Sequence, residues 1–113
     1  MIIKKTSIDE VLLITPKIHH DERGYFYESF NNREFLSFTG KSFVSVQDNH
    51  SFSQKLGTIR GLHFQVPPYP QAKLVSCLSG SIFDVAVDIR AGSPNYGKWT
   101  GYKLTSKIGE QLY

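Results

Sequence analysis

One cysteine, Cys77, stands in a chain of 113 residues, so no disulfide can close within it. That usage fits a reducing cytoplasm. Its neighbours, LVSCLSG, read as buried strand, where a thiol behaves as a small, inert core side chain. No apolar run is long enough to span a bilayer. The opening stretch, MIIKKTSIDEVLLI, lacks the basic segment, long apolar stretch and cleavage site of a secretory signal. The 13 Lys and Arg against 10 Asp and Glu give a formal charge of +3, but the cations are scattered. Without a basic run or a basic helix face, nucleic acid is a poor candidate partner. A small anionic ligand remains compatible with this charge pattern. Repeats, low-complexity tracts and internal linkers are absent, as are a nucleophile elbow and a phosphate-cradling glycine loop.

Histidines are few, and their spacing does not suit a metal. The residue two after His63 is Gln65. His19 and His20 are adjacent, so on a strand they point to opposite faces, and His50 stands alone in QDNHS. No pair puts two imidazoles on one metal from one strand, and a metal-free site is the expectation.

What the chain does have is β-forming sequence for a single core. Segments 11–15, 24–30, 42–47, 58–64, 72–78, 82–89 and 98–104 are rich in Val, Ile, Phe, Tyr and Leu, with Gly, Pro, Ser and Asn between many of them. An all-β antiparallel sandwich or barrel follows from that pattern. One stretch near 31–39 reads as helix, capped by Asn31 or Asn32 and ended by Gly40. In AKLVSCLSGSIFDVAVDI, Ser79-Gly80 reads as a hairpin turn joining 72–78 to 82–89. Along the second arm Phe83, Val85, Val87 and Ile89 alternate with Ile82, Asp84, Ala86 and Asp88. Asp88, next to the turn segment RAGSPN, reads as a wet surface carboxylate. Asp84 lies mid-strand between apolar residues and needs a partner if its face turns inward. Lys73, near-symmetric with it about the turn, is the expected cross-strand partner.

The segment RGLHFQ, 60–65, sets Arg60 three positions before His63, in sequence that reads as strand. Two readings stand: a hydrogen-bonded core histidine, or a histidine held as a proton-transfer base.

Six stretches, DERGYFYESF (21–30), VQDNHS (46–51), IRGLHFQ (59–65), QAKLV (71–75), GSIFDVAVDIR (80–90) and SPNYGKW (93–99), occur in one order along nearly the whole chain. In that order they resemble the dTDP-4-dehydrorhamnose 3,5-epimerase family. The resemblance implies an antiparallel jelly-roll (cupin-like) barrel over 1–113, a cytoplasmic homodimer, and neither metal nor cofactor. It implies inversion of the carbons flanking the C4 ketone of dTDP-4-dehydro-6-deoxy-D-glucose, on the route to dTDP-L-rhamnose. An inactive nucleotide-sugar-binding remnant, or a related mono-epimerase or ketoisomerase acting on dTDP-4-keto-6-deoxysugars, are the alternatives it leaves.

Carried over residue by residue, the resemblance makes His63 the general base and sets Lys73 by the ketone, with Asp84 nearby. Arg23, Phe26, Glu28, Gln47, Asn49 and Arg60 match the family's nucleotide-sugar contacts, some of them reached across a dimer interface. These residue types suit the chemistry. Protons beside a ketone are acidic because their loss leaves an enolate, which imidazole can generate near neutral pH. A neighbouring cation stabilises the oxyanion. Guanidinium forks bind diphosphate bidentately, and an aromatic ring stacks on thymine. The family's chain runs on past the equivalent of Tyr113, where it carries an acid that reprotonates the sugar and a carboxylate that orients the histidine. A barrel incomplete at its C-terminal end, a tendency to self-associate and weak turnover are therefore expected.

Overall fold

The computed structural model describes residues 1–113. In chain order its elements are β1 (Ile2–Lys5), β2 (Leu12–Thr15), β3 (Ile18–Asp21), β4 (Gly24–Tyr27), α1 (Asn32–Thr39), β5 (Val75–Ser76), β6 (Ser81–Val87), β7 (Trp99–Thr105) and β8 (Gln111–Leu112). They form a four-stranded sheet, β1-β2-β8-β5, and two antiparallel hairpins, β3-β4 and β6-β7. The strand-rich character and the one short helix match the sequence reading. The sheets do not close into a barrel.

The four-stranded sheet is covered on both faces. On one, Leu12 and Ile14 pack with Phe35 from α1, bordered by Phe30, Phe43 and Tyr113. Phe35 is fully buried, and its ring meets those of Phe30, Phe43 and Tyr113 at centroid distances of 4.9–6.1 Å. Such burial contributes about 1.5–3 kcal/mol relative to an exposed ring. On the other face Leu13, Val75 and Leu112 meet Cys77, Leu104 and Tyr102. The second cluster joins the sheet to the β6-β7 hairpin, so the interior between these two layers is lined from both sides. Cys77 is buried there, as its sequence context suggested.

Local chemistry accounts for the elements. The Asn31 side chain accepts hydrogen bonds from the backbone N–H groups of Arg33 and Glu34, and Gly40 ends α1 at φ +71°. The last segment, GEQLY, enters the middle of the sheet: β8 pairs with β2 and β5, and Tyr113 exchanges backbone hydrogen bonds with Leu12. No helix is long and apolar enough to cross a membrane.

Four sequence expectations are corrected. Segments 42–47 and 58–64 are not strands, and 72–78 contracts to β5. Their residues have strand-like composition, but a strand needs a partner for its backbone groups, and none lies alongside. Gly80 does sit in a turn, at φ +79°. The arms on either side of it part, however: β5 joins β8 while β6 joins β7. Near-symmetry about a turn carries no information about a competing strand thirty residues downstream. Consequently Asp84 lies opposite Tyr102 rather than Lys73.

Asp88 is the fourth. It is 4% exposed, not wet. Its carboxylate accepts hydrogen bonds from the Arg90 N–H and guanidinium and from the Ser93 hydroxyl, at 2.6–3.0 Å. Those bonds, led by Arg90, hold its carboxyl well below the usual carboxylate range. Arg90 also donates to Glu10 at 2.8 Å, tying the loop after β6 to the turn before β2.

Candidate active site

The β6-β7 register sorts residues by face. Ile82, Asp84 and Ala86 pair with Leu104, Tyr102 and Thr100, of which Leu104 and Thr100 are buried. Phe83, Val85 and Val87 pair with Lys103, Gly101 and Trp99 on the other face, where Phe83 is 63% exposed. The carboxylate-bearing face is thus the inward one. Gly101 leaves room for the Phe83 ring, since a Cβ there would stand 2.7 Å from it.

Asp84 is half-buried. Burial raises its carboxyl above the usual range, offset in part by a hydrogen bond from the Val85 N–H and by the nearby charge of Lys73. Lys73 is exposed and lies two positions before Val75, whose side chain packs into the interior cluster. Lys73 stands before β5 and outside the β6-β7 hairpin, and its charge is the weakest of the three influences on the Asp84 carboxyl. The two act on each other through space without forming a direct ion pair.

The other candidates are dispersed. Arg23, at the tip of the β3-β4 hairpin, donates to Asp21 at 2.6 and 3.2 Å, and its side chain is 86% exposed. Their hydrogen bond lowers the Asp21 carboxyl and raises the Arg23 guanidinium. An exposed pair of this kind is cheap to exchange for another anion. Phe26 is 74% exposed on β4. It pairs with His19, while His20 pairs with Tyr25 on the opposite face, as adjacent positions on a strand require. Glu28 accepts from the Asn31 side chain, and Gln47 donates to Asn49.

Every residue from 44 to 73 is exposed. Within that segment Arg60 folds back to donate to the Phe52 carbonyl and the Ser53 hydroxyl, each at 3.0 Å. His63 is exposed as well, which removes the core-histidine reading. It makes no hydrogen bond to Lys73, Asp84 or either arginine. Lys73 thus acts on Asp84 through its charge alone, while His63, Arg23 and Arg60 are open to solvent. No three His, Cys, Asp or Glu side chains converge as a metal site.

Tyr102 is the interior residue that the sequence reading passed over. The segment 98–104 was legible as a strand, yet its faces were left unassigned. Counting back by two from an inward Leu104 gives Tyr102 and Thr100.

A profile of the dTDP-4-dehydrorhamnose 3,5-epimerase family matches residues 5–113. The enzyme of that name from Shigella flexneri is 51% identical over 113 residues, covering all of this chain and 62% of the relative. The chain thus spans about three-fifths of the length of the curated relatives it matches. The crystal structure of dTDP-4-dehydrorhamnose 3,5-epimerase from Elizabethkingia anophelis NUHP1 superposes with a TM-score of 0.92 at 45% identity, covering 100% of this chain and 61% of that one. A dTDP-6-deoxy-D-glucose-3,5-epimerase from Legionella pneumophila Philadelphia 1, solved with dTDP-4-keto-L-rhamnose, gives 0.89 at 51% identity, covering 97% of this chain and 57% of that one.

Proposed function

The chain belongs to the dTDP-4-dehydrorhamnose 3,5-epimerase family, and on that premise we propose that it epimerises the carbons flanking the C4 ketone of dTDP-4-dehydro-6-deoxy-D-glucose. The observation that carries this reading is the family match across 5–113, which includes RGLHFQ, Lys73 and Asp84 in order. The influence of the Lys73 charge on the half-buried Asp84 carboxyl supports it.

His63 is the general base. Its imidazole removes the proton beside the ketone, the electrons move onto the C4 oxygen as an enolate, and a proton delivered to the opposite face of that carbon restores the ketone with the centre inverted. Lys73 stabilises that oxyanion with its ammonium group. Asp84, kept partly desolvated, holds the Lys73 charge in place. Arg23 and Arg60 bind the diphosphate, Phe26 stacks on thymine, and Glu28, Gln47 and Asn49 contact the nucleotide-sugar. His63 lies on an exposed segment, so the site is completed when that segment lies against the ligand or a second copy of the chain. The exposed Val46, Phe52, Ile59, Leu62 and Phe64 support a homodimer as that setting. Superposition on the family's structures supports reading the strands as those of an antiparallel jelly-roll (cupin-like) barrel. The single cysteine supports a cytoplasmic location.

Solvent-deuterium incorporation into the sugar tests the proposal. Exchange at two carbons is the expected result. Exchange at one carbon means a mono-epimerase, and binding without exchange means a nucleotide-sugar-binding remnant.

A further inference from the structure

We propose that Tyr102 is a specificity-determining residue of the Lys73–Asp84 site, its hydroxyl hydrogen-bonding an oxygen of the sugar ring. This inference rests on the nucleotide-sugar reading above and adds a group that the motif stretches do not contain.

Placement comes first. Tyr102 lies directly opposite Asp84 in the β6-β7 register, on the inward face. Cross-strand neighbours of this kind have Cβ atoms about 4.5–5.5 Å apart. A ligand group held at Asp84 on this face therefore has Tyr102 as its cross-strand neighbour.

Fixation is the second observation. The ring packs against the cluster of Cys77, Leu104 and Leu112, which joins the two layers. A tyrosine has few rotatable bonds, and packing of the ring leaves its hydroxyl with little freedom to lose on binding.

The third observation concerns that hydroxyl. It makes no hydrogen bond within the chain. Nor is it sealed away, because Gln111 Oε1 is the single buried side-chain polar atom without a partner. The phenol oxygen is thus accessible and unpartnered, on the strand position opposite Asp84. A phenol both donates and accepts, so it suits a hydroxyl or carbonyl oxygen on a sugar. The residues proposed for the diphosphate and the base stand on the β3-β4 hairpin and the exposed segment, not on this strand.

The test is Tyr102→Phe, which keeps the packed ring and deletes the hydroxyl. Dissociation constants are measured for dTDP and for dTDP-L-rhamnose on the purified protein, with melting curves alongside. The expected result is unchanged dTDP affinity, unchanged melting and about tenfold weaker dTDP-L-rhamnose binding, the scale of one lost hydrogen bond. Equal affinity in variant and wild type for both ligands overturns the inference, as does an equal loss for both, which marks a structural role. Wild-type protein allows the same test from the ligand side, whatever the variant's stability. Among dTDP-sugars each lacking one hydroxyl of the sugar, one binds about tenfold more weakly; uniform affinity across the set overturns the inference. Wild-type protein that binds neither dTDP nor dTDP-L-rhamnose removes the nucleotide-sugar reading and this inference with it. Wild type that binds both, with a variant that does not separate them, removes this inference alone.

Discussion

Residues 44–73 and the rest of the chain do opposite things with similar sequence. Both are rich in β-forming side chains. Outside the segment, strands find partners and two apolar clusters form around Phe35 and Leu104. Inside it there is no strand or helix, and every residue is exposed. Yet the segment carries Gln47, Asn49, Arg60, His63 and Lys73, most of the side chains with chemistry to offer. On the proposed reading, much of the chemistry thus lies outside the packed clusters, and substitutions in the two regions should fail in different ways.

The largest effect is expected at His63. His63→Ala should lower solvent exchange into the sugar by about 10²–10⁴-fold, the usual worth of a positioned base. Its melting curve should stay at the wild-type position, because the side chain is exposed and unbonded. A variant that melts early would blur the division between the two regions.

Phe35→Ala tests the other side. A fully buried ring lost from a packed cluster costs about 3–5 kcal/mol. Denaturant midpoints should fall accordingly, with loss of ligand binding only where the protein unfolds.

Arg60→Ala sits between these extremes. Losing a charge-assisted contact to diphosphate should weaken dTDP binding by about 10–100-fold. The same change frees the Phe52 carbonyl and Ser53 hydroxyl, both exposed, so stability should barely move. Arg60→Lys should restore little, since an ammonium lacks the bidentate fork.

The smallest effects are pH-dependent and have opposite signs within the folded region. Burial raises the Asp84 carboxyl, so folding favours its protonated form. That contribution is fully present below the ordinary carboxylate value, about 3.9, and is lost as pH rises through the folded value. Asp84→Asn should therefore melt slightly higher than wild type at pH 7, with no gain below about pH 4. The Asp88 carboxyl is lowered, so its contribution is present above that value and is lost on acidification. Asp88→Asn should melt lower at pH 7, and the gap should narrow as pH falls below about 4. Melting curves across pH 3–7 for both variants check the two signs.

How legible this was depended on distance along the chain. Helix α1 was readable because Asn31 and Gly40 act within a few residues. The strand at 82–89 was readable from alternation alone. What alternation does not reveal is which face turns inward, and there the carboxylate face won, since Asp88 finds Arg90 and Ser93 as partners. The pairing of β5 with β8 is set by residues near the end of the chain, so symmetry about Ser79-Gly80 misled. Lys73 was expected as the cross-strand partner of Asp84, but the register gives that place to Tyr102 and leaves Lys73 only the influence of its charge. The segment around His63 looked like strand because local composition is blind to whether a partner strand is at hand. Tyr102 was missed for a related reason: a tyrosine on a strand is unremarkable until the register puts it opposite Asp84.

Titration of the purified protein with dTDP at low and high salt tests most directly whether the exposed segment and the hairpin tip make a nucleotide-sugar site. The account predicts measurable affinity that weakens as salt rises, because Arg23 and Arg60 meet the diphosphate where solvent ions screen them. Undetectable binding to properly folded protein would contradict it, and would remove both the epimerase reading and the nucleotide-sugar-binding alternative.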